Sequence, residues 1–465
     1  METEVENVRV LSRGRLEIPP REGTSADAIR SSMLGMNYPC CICHSNLYGL
    51  TFVATPDGLG VADFATLEEA TLESVEKAEN NIDPLTALPI SFTVALPATP
   101  HFLALSPSET LLAVIFGSSL AVFEVARLLE GVHNPVFMSN NVDARHMCWS
   151  TVQGEDEEAS LVVLTTDRQV HVYNMKGNLV CTHGDIEATS ISWAPEGSVL
   201  AVGDDEGIVH KLAYTHTDEN GGAFTTVGTI PKPDHVGDNF QVHHLNWAED
   251  NLIFAGYKSS DNEEAASCIF EGEDDTAVDT TELVAFFPSE TREHAFYTCY
   301  LKPWRMFFVG CSLSTDIELL VSDPESSEWQ VWKPLEKYTP RLPMDSNDED
   351  TFPVGMSVVL NSTAVIPGDE IDYPFYPCPL VLVTTTDGIL LNFALLDTNE
   401  VEFPYLVVPT QPPQPALQTT ELCAESPRQL SFEVSAAVPT FTFDPAQPPM
   451  TFGQNADNVF NDEDE

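Results

Sequence analysis

Basic residues are scarce in this 465-residue chain: 20 Lys and Arg stand against 72 Asp and Glu, a formal net charge of −52. That shortage argues against direct nucleic-acid binding, which is carried by Lys and Arg on phosphates. It disfavours an anionic membrane for the same reason and favours a basic protein partner, because a field of one sign speeds association with its opposite. Long hydrophobic runs are missing too. The longest apolar stretch, Leu111–Ala126, is broken by Gly117, Ser118, Ser119 and Glu124 and is no spanning helix. The start, METEVENVRVLSRG, lacks an apolar h-region, so no secretory signal is expected. Ten cysteines are scattered without regular spacing, which predicts reduced thiols in a cytosolic or nuclear protein. The sequon Asn361-Ser362-Thr363 would then never meet the glycosylation machinery.

Catalytic signatures are equally sparse. Gly-x-Ser-x-Gly, P-loop and Rossmann fingerprints do not occur. Cys40-Cys41-Ile42-Cys43-His44 gathers metal-ligand residue types, but no second pair follows at zinc spacing. The segment reads as structural thiols, with no metal and no cofactor expected. His243-His244 precede a tryptophan and read as core or interface packing, and Asp204-Asp205 as turn residues. No enzyme is expected.

What the chain does have is recurrence. Ser192–Leu212, SWAPEGSVLAVGDDEGIVHKL, runs strand end, turn, strand, turn, strand. Pro195-Glu196-Gly197 supplies the first tight turn and Asp204–Gly207 the second. Ser198–Val202 between them has the composition of a strand buried on both faces. Trp149, Trp193, Trp247 and Trp304 are spaced by 44, 54 and 57 residues, with Leu105 44 before the first. A polar turn and an apolar run follow each. The repeats cover 103–125, 148–175, 192–212, 245–257 and 302–321, with looser copies at 47–64 and 379–395, seven in all. A period of roughly 40–50 residues is that of a four-stranded blade. A β-sandwich or two barrels with chance tryptophan spacing is the alternative. The reading is an all-β, seven-bladed WD40-like β-propeller over 1–408, with a proline-rich, disordered or extended C-terminal tail over 409–465.

Along the chain, Val8–Leu11 is a strand candidate and 66–80 has helix-forming composition. The stretch 215–236 is expected to be a polar loop, 261–281 an acidic insertion between the fifth and sixth blades, and 334–352 a long loop before the seventh. Acids cluster at 155–158, 261–264, 271–275, 345–350 and 462–465.

SNLYGLTFVATPDGLGVADF (45–64), TSISWAPEGSVLAVGDDEGIVHKL (189–212) and FPVGMSVVL (352–360) with PLVLVTTTDGILLNFAL resemble the first, central and last blades of one family. This is the N-terminal propeller of the cytoplasmic-face nucleoporin of the CAN type. The resemblance covers roughly 40–410 and implies a platform on the cytoplasmic side of the nuclear pore complex. There it would dock the DEAD-box helicase of mRNA export and assist RNA release, beside other nucleoporins. The family's helicase contact is a Leu-Pro-apolar segment followed by acids. Here that corresponds to Leu342, Pro343, Met344 and Asp345, then Asp348, Glu349 and Asp350. An apolar anchor beside carboxylates suits a basic helicase surface. Family members continue into phenylalanine-glycine repeats bound by transport receptors, whereas this chain carries a single Phe452-Gly453. Phe432, Phe441 and Phe443 are candidates for folding back on the propeller. The alternative function is a generic WD40-type scaffold in another nuclear or cytosolic assembly.

Overall fold

A computed structural model describes residues 2–5, 7–19, 39–79, 86–151, 159–217, 221–281, 292–323, 328–365, 376–398 and 403–410. The acids at 155–158 and 462–465 and the tail phenylalanines lie outside these residues.

Two N-terminal strands come first, β1 (Glu2–Val5) and β2 (Val8–Glu17). Seven sheets follow in chain order. The first blade is β3 (Ile42–Ser45), β4 (Leu50–Thr55), β5 (Gly58–Asp63) and β7 (Phe92–Ala95); helix α1 (Phe64–Glu79) and the short β6 (Thr86–Ala87) interrupt it before its outer strand. The second is β8 (Pro100–Leu105), β9 (Leu111–Phe116), β10 (Ser119–Glu124), a short helix α2 (Val125–Leu129) and β11 (Phe137–Asn140). The third is β12 (Ala144–Trp149), β13 (Leu161–Thr165), β14 (Val170–Tyr173) and β15 (Leu179–His183). The fourth is β16 (Ala188–Trp193), β17 (Val199–Asp204), β18 (Val209–Thr217) and β19 (Gly221–Ile230). The fifth is β20 (Phe240–Glu249), β21 (Leu252–Ser259), β22 (Ala265–Glu271) and β23 (Thr276–Asp279). The sixth is β24 (Phe296–Leu301), β25 (Met306–Cys311), β26 (Glu318–Ser322) and β27 (Trp329–Pro334). The seventh is β28 (Pro353–Val359), β29 (Leu380–Thr385) and β30 (Ile389–Asp397), completed by β2. The seven sequence repeats fall one to a blade.

Hydrophobic burial explains the ring. The second strand of each blade is buried on both faces: β4, β21, β25 and β29 are buried along their whole length. Blades stacked on either side leave such a strand no solvent face, so it reads as an apolar run instead of an alternation. Buried side chains form one principal cluster per seam between adjacent blades, from the first-second seam round to the seventh-first. Trp149 and Trp193 end innermost strands and are held by Nε1–H bonds: Trp149 donates to Ala104 O (3.0 Å) and Trp193 to Gly197 O (3.1 Å). Where the next blade's inner strand passes closest, only glycine fits. A Cβ on Gly203 would stand 2.3 Å from Val242 Cγ1, and one on Gly256 2.3 Å from Phe296 Cδ2.

The N-terminus closes the ring. Strand β2 pairs antiparallel with β30, from Val8 opposite Asp397 to Glu17 opposite Ile389, while β1 lies parallel to β27 in the sixth blade. Its free edge is covered by β6, and Ser74 Oγ of α1 donates to Arg15 O (3.0 Å).

Two sequence expectations are corrected. The stretch 261–281 is no insertion, because it holds β22 and β23, the outer half of the fifth blade. Its Ala266, Cys268, Ile269 and Phe270 are core residues between acidic turns, and the turns dominated the sequence signal. Nor is 215–236 mainly loop: β18 and β19 form a long hairpin there, with Thr217 opposite Gly221. Strand β19 faces solvent along most of its length, so it lacks the apolar pattern that marks an inner strand.

Candidate functional site

The connection from β27 to β28, residues 335–352, carries the acidic stretch, and its two ends are fixed before its tip emerges. After a single 3-10 turn (Glu336–Tyr338), the chain runs beside the turn between β25 and β26. Ile317 N–H donates to Pro340 O (3.0 Å) and Leu342 N–H to Thr315 O (2.8 Å). The Arg341 guanidinium meets Asp316 through two contacts, Nε to Oδ1 at 2.6 Å and Nη2 to Oδ2 at 3.2 Å. At the other end Phe352 and Thr386 exchange bonds: Thr386 N–H to Phe352 O (2.9 Å) and Phe352 N–H to Thr386 Oγ1 (3.2 Å). The loop is therefore tied to the sixth blade on one side and to the seventh on the other.

Between these ties the chain forms a small hairpin. Thr351, buried, donates from Oγ1 to Pro343 O (2.6 Å), and Asp345 N–H donates to Glu349 O (2.9 Å). One oxygen of the Asp345 carboxylate, Oδ1, accepts from the N–H groups of Asn347 (2.8 Å) and Glu349 (2.9 Å). This is an aspartate capping its own turn. Asp348 takes the left-handed conformation (φ +60°), which Asp tolerates better than most residues.

The residues singled out by sequence do not share one environment. Leu342 is 3% exposed and packs in the core between the sixth and seventh blades, so it anchors the hairpin and presents no surface. Met344 is 59% exposed, an unusual position for a large apolar side chain. Asp345 is half-buried and partly committed to the turn, whereas Asp348, Glu349 and Asp350 are exposed. Burial and then the neighbouring Asp345 charge raise the carboxyl of Asp387, in the turn between β29 and β30. The acidic field of the hairpin thus reaches the adjacent blade. What emerges is an exposed apolar side chain flanked by carboxylates on a braced turn.

Other candidates resolve into structure. The side chains from Cys40 to His44 diverge. Cys40 packs toward the second-third seam, Cys41 against Ala54 and Val354, and Cys43 in the first-second seam. His44 sits between Thr51 Oγ1 (3.0 Å) and Asn361 Oδ1 (2.8 Å), and burial lowers its pKa to about 4. Asn361 of the sequon is therefore a buried partner of His44. Asp204 caps its turn through the N–H groups of Glu206 and Ile208 and meets His210 Nε2 at 2.7 Å.

Sequence reasoning missed one grouping. Arg145 and His146 line the central channel together with His243 and His244. Both pairs stand four and three residues before a repeat tryptophan, Trp149 and Trp247. That shared offset was the available signal.

A sequence-family profile described as the NUP159/214 beta propeller matches residues 44–390. The human Nuclear pore complex protein Nup214 is 22% identical over 395 residues, 80% of this chain but 18% of that protein, so the chain spans less than a fifth of that relative's length. A crystal structure of the N-terminal domain of Nup159 superposes with a TM-score of 0.62 at 15% identity, covering 85% of this chain and 98% of that one. A chain from a structure of S. cerevisiae Dbp5 bound to Nup159, Gle1, IP6 and ADP superposes with a TM-score of 0.61 at 15% identity, covering 85% and 97%.

Proposed function

The chain belongs to the NUP159/214 β-propeller family, and on that footing we propose that it is a nuclear pore component of the cytoplasmic side that docks the DEAD-box helicase of mRNA export through the 343–351 hairpin. The observation that carries the reading is the braced hairpin with Met344 exposed beside Asp348, Glu349 and Asp350. The solved complex of Dbp5 bound to Nup159 supports the partner class.

The chemistry divides by residue. Met344 inserts into an apolar recess and contributes affinity by burial, and its flexible thioether adapts to an irregular surface. Asp348, Glu349 and Asp350 steer a basic surface into place and pair with its arginines. Leu342 acts indirectly, by fixing the hairpin to the core. An anionic platform on the helicase's basic face competes with RNA for that face and so assists RNA release. Residues 1–408 form the platform in this reading, beside other nucleoporins, with 409–465 as a linker-like tail through which transport receptors are engaged.

The test is a titration of the purified chain with the export helicase of the same source at two salt concentrations, repeated with Met344→Ala and with Asp348→Lys/Asp350→Lys. The expected result is binding that weakens with salt and falls about tenfold or more in the charge-reversed variant. Affinity untouched by both variants moves the contact to another acidic loop, such as 261–264. No binding at either salt overturns the helicase platform.

A further inference from the structure

Each blade ends in an outer strand, and an uncovered row of backbone N–H and C=O groups there is a template for pairing with another chain. Most of these edges are short, covered or charged. Strands β7, β11 and β23 have four residues each and β15 has five. In the sixth blade β27 is covered by β1, a four-residue strand carrying Glu2 and Glu4. In the seventh β2 carries Arg9, Arg13, Arg15 and Glu17, with β6 beside its end. Strand β19 is the exception. It runs ten residues as GGAFTTVGTI, without a charge or a proline, in a chain of which 20% is charged. Among the described residues no strand pairs with its outer side.

The edge is regular enough to be used. Pairing with β18 is continuous from Thr217 opposite Gly221 to Leu212 opposite Thr226, and Val227 is then the extra residue of a bulge, because Lys211 stands opposite Gly228. Residues 222–226 therefore offer an unbroken edge of about 17 Å, the length of an ordinary strand. Phe224 turns inward to the rings of Tyr214 (5.1 Å between centroids) and His183 (5.8 Å). Ala223, Thr225, Thr226 and Val227 face solvent, Val227 being 60% exposed.

Charge selects the occupant. Exposed acids border the strip by chain position: Asp185 and Glu187 follow β15, and Asp234 and Asp238 follow β19. His235 Nε2, 3.4 Å from Asp279 Oδ1, ties that last connection to the outer strand of the fifth blade. The nearby lysines are engaged, Lys211 Nζ with Asp275 (2.7 Å) and Lys232 Nζ with Asp238 O (2.8 Å). A second copy of the chain is opposed by the repulsion of two bodies of −52 each. We propose that β19 is a strand-addition surface for an extended segment of a basic protein, whose backbone pairs with 222–226 while flanking Lys or Arg meet the bordering acids. This surface is independent of the 343–351 hairpin and does not rest on the helicase reading.

The experiment follows backbone amide exchange of the full chain with two synthetic peptides as probes. Both have a Thr-Val-Thr-Val-Thr centre, one flanked by Lys-Lys at each end and the other by Glu-Glu. Saturable protection centred on 222–229 by the lysine-flanked peptide is expected, weakening with salt, with the glutamate-flanked peptide about tenfold weaker or more. Thr225→Lys/Val227→Lys, at exposed positions, should weaken the lysine-flanked peptide about tenfold or more. Thr225→Ser/Val227→Thr keeps the edge uncharged and should bind within about twofold of the parent. Sedimentation of the chain alone should show a monomer. Equal binding of the two peptides, protection elsewhere, or affinity untouched by the lysine pair overturns the proposal. So does a dimer that protects 222–229 without peptide, which would give the edge to a second copy.

Discussion

The 343–351 hairpin and the central channel meet the same face of the ring, since 335–352 is a blade-to-blade connection and Arg145 directly follows another. In other respects they are opposites. The hairpin carries four carboxylates and shows Met344 to solvent; the channel gathers Arg145 with histidines, and no acid is among the described residues that line it. Side chains at the hairpin tip stand in solvent, where they are accessible to a partner. In the channel, burial holds imidazoles neutral: His146 is lowered to about 4 and His244 to about 3. The difference shows how a chain of −52 folds at all. Among the described residues, acids are frequent on exposed turns such as 345–350 and absent from the side chains that line the channel.

The largest expected effect tests whether Leu342 belongs to the core or to the partner surface. Leu342→Ala should lower the unfolding free energy by about 2–5 kcal/mol in urea melts, as buried leucine truncations do. A loss near zero would return Leu342 to the contact surface. Next is acid sensitivity. His44 and His146 (about 4) and His244 and His294 (about 3) have folded pKa values depressed chiefly by burial. The folded state thus binds fewer protons than the unfolded one below the ordinary histidine value of about 6.5. Stability is full above that pH and declines as pH falls toward the folded values. The slope is about 1.4 kcal/mol per histidine per pH unit, summed over the histidines that remain neutral. Urea midpoints at neutral pH and one unit below 6.5 measure this term. A flat profile there would show that the channel is not a neutral histidine cluster.

Asp345 sharpens the comparison from the other side. Asp345→Asn keeps the acceptor oxygen and should preserve the turn, whereas Asp345→Ala should speed amide exchange at Asn347 and Glu349 by about tenfold, roughly the worth of one hydrogen bond. The smallest effect on stability belongs to Met344→Ala, within about 0.5 kcal/mol as for other exposed positions. The same change should still weaken the proposed helicase contact.

The sequence made the inner ring readable and left the periphery and the axis obscure, for physical reasons. Strands such as β17 and β29, buried on both faces, write their burial as uninterrupted apolar runs. β19 and β23 are outermost strands, each paired with one strand and largely solvent-facing, so their composition resembles loop. The ring closure by β2 joins residues nearly 400 positions apart, Val8 with Asp397, and the channel likewise gathers His146 and His244 from different blades. No local pattern announces either. At the hairpin, the acids were legible because they are contiguous. That Leu342 turns inward while Met344, two residues on, turns outward is decided by the ties to Thr315 and Thr351, which only the fold supplies.

The most direct test of the account is hydrogen–deuterium exchange of the whole chain with and without the export helicase. Protection centred on 343–352 and its support at 312–317 is expected, with the channel strands unchanged. Protection confined to another acidic turn, or none on this face of the ring, would contradict it.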